Sequence, residues 1–106
     1  MAEFTVEITG ADRDQLAQEL SEHITAQQGQ AQIYAETEKF GDPLTTATAV
    51  VSAVLAGIQA ADIIWKWWQS RRKSGGDVTI RTASGQVIEL SGVTSERLKI
   101  ILQEDD

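Results

Sequence analysis

Three tryptophans and four cations fall within nine residues: Trp65, Trp67 and Trp68 with Lys66, Arg71, Arg72 and Lys73. No other grouping in the chain has so unusual a chemistry. Trp and Arg are the side chains most enriched at the energetic centres of protein interfaces. The same pair suits a membrane headgroup region, or base stacking with phosphate contacts on nucleic acid. On a helix Trp65 and Trp68 share a face while Trp67 points elsewhere, so one small core does not accommodate all three. The bland alternative buries two and partly covers the third. Trp65, Trp67, Trp68, Arg71 and Arg72 are the candidates for partner contact.

The remaining reactive side chains form no catalytic set. His23 is the single histidine and lies beside the apolar stripe of a predicted helix. A general base or pH switch is conceivable there, but one histidine among scattered serines builds no Ser-His-Asp arrangement. Asp12/Asp14, Glu36/Glu38 and Glu104–Asp106 are carboxylate groupings that read as solvated faces. Glu36 and Glu38 share one side of a strand, a spacing a hard cation could use, yet no glycine-bearing calcium loop accompanies them. The glycines show no phosphate-loop spacing, and Gly75-Gly76 follows a helix instead of opening one. There are no cysteines, which excludes disulfides, thiol nucleophiles and thiolate metal sites. No catalytic residue, cofactor or metal site is expected, and the chain reads as a non-enzyme.

Charge narrows the partners. The net charge is −7, and it is uneven: residues 1–42 hold nine acids against Arg13 and Lys39, whereas residues 43–106 hold seven of each sign. An acidic front half disfavours nucleic acid for the domain as a whole. Lys66–Arg81 is the one basic island. The start, MAEFTVEI, has no basic segment followed by an apolar one, so no secretory signal is visible and a cytoplasmic site is the expectation.

The element that must position the Trp/Arg group is Leu44–Trp68. Asp42-Pro43 offers a helix start, Gly75-Gly76 a stop, and Arg71 to Lys73 suit the negative end of a helix dipole. The spacing predicts one long helix over about 44–73, apolar on nearly every face and therefore widely covered. Three environments are open to it: the core of one chain, a self-association interface, or a membrane. Leu44–Ile64 contains eight strong apolar residues, with six Ala, three Thr, Ser52, Gly57, Gln59 and Asp62. Insertion gains roughly −4 kcal/mol from the former, which a central Asp alone offsets by ~2.5–3.5. Ala49, Ala53 and Gly57 form a small-residue stripe that permits close backbone approach in either solvent.

The other elements are short. Phe4, Val6 and Ile8 alternate with polar residues as a half-buried strand. Asp12 and Gln15 have capping-box spacing ahead of a helix with Leu16, Leu20 and Ile24 on one stripe. Gln30–Glu38 reads as a strand with Ala31, Ile33 and Ala35 on one face and Gln32, Tyr34 and Glu36 on the other. Asp77–Ala83 and Gln86–Leu90 flank Ser84-Gly85 as a hairpin, with Val78, Ile80, Ile88 and Leu90 inward. Thr94 caps a last helix carrying Leu98, Ile101 and Leu102, with Val93 placed to staple it. At 106 residues one domain is expected. The fold class is α+β, order β-α-β-α(long)-β-β-α, with a mixed four-stranded sheet and helices packed on one face.

An acidic β-α front, an Ala/Val-rich helix ending in WKWWQSRRK, then VTIRTASGQVIELSG and a terminal SERLKIIL helix resemble the effector-associated constant component domain of bacterial conflict systems. The resemblance spans most of the chain. It implies a small non-enzymatic adaptor or oligomerising component, with an NTPase or a peptidase-like effector as partner and no catalytic residues to carry over. Trp65, Trp67, Trp68, Arg71 and Arg72 map as its partner-contact positions. A membrane-associated component whose 44–68 helix inserts into or lies on a bilayer is the alternative.

Overall fold

A computed structural model describes residues 2–10, 12–36, 48–71 and 77–104. Strand β1 (Ala2–Ile8) leads to helix α1 (Arg13–Ala26) and strand β2 (Gln30–Glu36). Strand β3 (Thr48–Leu55) runs directly into helix α2 (Gly57–Arg71); β4 (Val78–Thr82), β5 (Val87–Glu89), a 3₁₀ turn at Leu90–Gly92 and α3 (Ser95–Glu104) follow. The class is α+β, as the patterning predicts. The sheet, however, has five strands in the order β2-β3-β1-β4-β5, and every neighbouring pair is antiparallel. It is neither four-stranded nor mixed.

The fifth strand comes from the run expected to be helix. Over Thr48–Leu55 the residues alternate between half-buried and buried, with Ala49, Val51, Ala53 and Leu55 facing the core. As a central strand between β2 and β1, β3 has apolar residues on both faces. Valine and threonine favour that pleated environment over a helix because branching at Cβ restricts χ1. Helical character begins only at Gly57. The start at Asp42-Pro43 and the stop at Gly75-Gly76 lie outside the described residues, as do Arg72, Lys73 and the Glu38 position.

Connectivity follows from this insertion. β3 lies between β1 and β2, and β1 lies between β3 and β4, so β1-α1-β2 and β3-α2-β4 are interleaved split βαβ units, the ferredoxin-like arrangement. The hairpin and α3 extend it at one edge. α1 packs on β3 and β2, and α2 touches both α1 and α3. One core results: Phe4, Val6 and Ile8 of β1 join Leu20 and Ile24 of α1, Ile64 and Trp67 of α2, Ile80, and Leu98 and Leu102 of α3. All these strand residues project to the same side, so the helices cover a single face.

Local signals mostly read as expected. α1 ends in a Schellman motif: Gly29 N donates to Ile24 O at 3.0 Å and Gln28 N to Thr25 O at 3.0 Å. Gln28, not a glycine, takes the left-handed position, with φ of 66°. The capping box at Asp12 does not form, since the Asp12 side chain makes no cap hydrogen bond. The Thr94 cap does, its Oγ1 accepting from Arg97 N at 3.2 Å. The hairpin loop has three residues instead of two: Thr82 N donates to Gln86 O at 2.9 Å and Gly85 N to Thr82 O at 3.0 Å. Gly85 closes it at a φ of 95°, the left-handed position such loops require.

Candidate interaction surface

Helix α2 buries Gly57, Ala60, Ala61, Ile64 and Trp67, residues spaced three and four apart that form one stripe. About this stripe the three tryptophans separate as the helical period requires. Trp67 is 3% exposed and belongs to the core. Its Nε1 is buried with no hydrogen-bond partner among the described residues. Trp67 therefore offers no surface to a partner, although its position in the chain makes it a candidate. Trp65 and Trp68 are half-buried and pack against the core from the edge of the stripe. Arg71 is the last residue of α2, and Arg72 lies beyond the described residues.

The two flanks of α2 differ. A helix turns roughly 100° per residue, which sets Ile63 on one flank and Trp65 with Trp68 on the other. The Ile63 flank borders a groove of about 380 Å³ against α1, lined by His23, Gln27, Gln59, Lys66 and Trp67 among others. Lys66 Nζ pairs there with Asp62 Oδ2 at 3.1 Å, an exposed contact between residues one helical turn apart worth only tenths of a kcal/mol. Ser70 Oγ donates to Trp67 O at 2.9 Å, within the last turn. His23 is exposed on this groove, and among the described residues the Asp62–Lys66 ion pair lines it with no nucleophile–base pair. The sequence singles out His23 but cannot place it opposite Lys66, because that depends on how α1 meets α2.

Of the carboxylate groupings, Glu38, Asp105 and Asp106 lie outside the described residues. Asp12 and Asp14 are exposed at the start of α1, and Glu36 ends β2. Among the described residues no cluster of three or more His, Asp or Glu could hold a metal ion. Nor is any helix among them long and apolar enough to cross a membrane. The 44–68 helix required for insertion is interrupted by β3.

On the opposite sheet face lie Glu3, Thr5 and Glu7 of β1, Val50, Ser52 and Val54 of β3, and Thr79 and Arg81 of β4, by register. Arg81 Nε donates to Glu7 Oε1 at 2.7 Å across this face. Tyr34 and Gln32 of β2 continue it, the Tyr34 hydroxyl donating to Gln32 Oε1.

No family model, curated protein or solved structure matches the chain.

Proposed function

We propose that this domain is a non-enzymatic adaptor of the cytoplasm that engages a protein partner through the C-terminal end of α2. The observation that carries the reading is the placement of Trp65 and Trp68. They are half-buried and packed against the core, with Arg71 ending the same helix and Arg72 next in the sequence. Indoles anchored on one side and open on the other present a large contact area at little cost in side-chain entropy. Neighbouring guanidinium groups add donors suited to carboxylates on a partner. The resemblance to the effector-associated constant component domain points the same way and suggests an NTPase or a peptidase-like effector as the class of partner.

The test is calorimetric titration of the chain with an NTPase and with a peptidase-like effector, the partner classes that the resemblance implies. Trp65→Ala with Trp68→Ala, and separately Arg71→Ala with Arg72→Ala, should each weaken binding by at least about tenfold, since hot-spot truncations cost ~2 kcal/mol or more. Circular dichroism checks that the fold persists. Binding unchanged in both double variants would remove α2 as the contact element.

A further inference from the structure

The two edges of the sheet are built differently. β5 is three residues long, and shortness is one of the ways proteins blunt an edge. β2 presents seven residues, QAQIYAE, with no proline, glycine or lysine to discourage pairing. Ile33 and Tyr34, on its two faces, are 45% and 51% exposed. We propose that the β2 edge pairs antiparallel with β2 of a second copy of this chain, about a two-fold axis at Ile33. The two five-stranded sheets then become one. The proposal draws on none of the residues at the α2 end.

The occupant is identified by the strand's own order of residues. A two-fold axis normal to the sheet keeps helix side with helix side, so opposed residues must share a face. Centred on Ile33, the pairing sets Ile33 against Ile33, Gln32 against Tyr34, Ala31 against Ala35 and Gln30 against Glu36. Small meets small, apolar meets apolar, and the strand's single formal charge falls opposite an amide. Moving the centre by one residue leaves two residues of each strand unpaired and sets Ile33 opposite an alanine. The segment is close to a palindrome, and only self-pairing uses that symmetry.

The helix layer permits the same arrangement. Strands lie about 4.8 Å apart, and α1 packs over β2 and β3. Across the axis the two α1 helices then stand ~10 Å apart, at the 8–10 Å typical of packed helices. The α1 flank above the edge carries Asp14, Gln18, Ser21 and Thr25, one position every three or four residues. Thr25 borders the same notch as Gly29 to Gln32, and its Oγ1 is satisfied by Ser21 O at 2.8 Å. Uncharged side chains, Gln18 and Ser21, therefore meet near the axis. The two copies of Asp14 fall at opposite ends of the antiparallel helix pair.

Sedimentation equilibrium of the full chain tests this. The wild type should run at twice the mass of one chain. Ile33→Lys and Ile33→Glu should each weaken association by roughly 100-fold or more, because like charges then face each other at the centre. Mixing the two variants should restore the dimer, since residue 33 faces itself. A monomeric wild type, a dimer indifferent to Ile33→Lys, or failure of the mixture to reassociate would each overturn the proposal. A dimer lost instead on Trp65→Ala would assign self-association to the α2 end. Should the variants unfold, hydrogen exchange on the wild type decides: β2 amides must lose protection on dilution, and exchange independent of concentration rejects the edge.

Discussion

The two faces of the sheet are made by alternate residues of the same strands, yet they meet different surroundings. Val6, Ile8, Val51, Leu55 and Ile80 are fully buried beneath three helices. Their immediate neighbours Glu7, Val50, Val54 and Thr79 are half-buried, and Arg81 is exposed, with no helix above them among the described residues. Stability is thereby concentrated on one side. Burying a large aliphatic side chain contributes about 1.5–3 kcal/mol, whereas partly solvated polar contacts contribute tenths. The open face is held in shape by backbone pairing and by what lies behind it, so its side chains can vary at small cost to the fold.

Adjacent residues give the largest contrast. Leu55→Ala should destabilise by about 2–5 kcal/mol through lost burial and a residual cavity, while Val54→Ala should cost less than ~1. Urea denaturation of both variants measures the difference, and equal losses would mean that the open face is covered in solution. Next comes a pair of glycines. A Cβ on Gly57 would sit 2.4 Å from Leu102 O and 2.9 Å from Leu102 C, whereas one on Gly92 would meet nothing within 4 Å. Gly57→Ala should cost roughly 1–3 kcal/mol as overpacking. Gly92→Ala should be neutral or stabilise by up to about 1, since it restricts the unfolded chain. Thermal melts would show a clear drop for Gly57→Ala and none for Gly92→Ala. The smallest effect belongs to the open face itself: Glu7→Gln removes the charge opposite Arg81 while keeping an acceptor oxygen, both groups being partly solvated. It should lower stability by less than ~1 kcal/mol, and the difference should shrink further in high salt.

Elements whose pattern reports a single buried face were legible in the residues. The alternation of Phe4, Val6 and Ile8, the Leu16–Leu20–Ile24 stripe, the inward set Val78, Ile80, Ile88 and Leu90, and the last helix with its Thr94 cap all form as read. β3 was not legible, because a central strand with apolar residues on both faces shows no period. Ala49 and Ala53, beside Ile8 and Phe4 in register, dilute the strand signal with the best helix former. Ala56-Gly57 marked the change of structure, and the α3 carbonyl that presses on Gly57 gives that glycine its reason. At the candidate surface the helical period correctly separated Trp65 and Trp68 from Trp67. Which side faced inward depended on the position of α1 and α3. β2 became an edge only once β3 had taken the place beside β1.

The interleaving of the two βαβ units has a consequence for how the chain is made. When residues 1–36 have been synthesised, β1 and β2 both exist, but neither is the other's neighbour in the sheet. Each must wait for β3 to arrive between them, and β1 must wait again for β4. The segment through β2 can form α1 and little else: sheet assembly cannot begin until β3 is complete at residue 55, and β4 joins only at residue 82. A nick between residues 36 and 48 would yield two pieces whose strands alternate across the sheet. Neither piece can assemble the sheet alone, but mixed together they would mesh like the fingers of two hands.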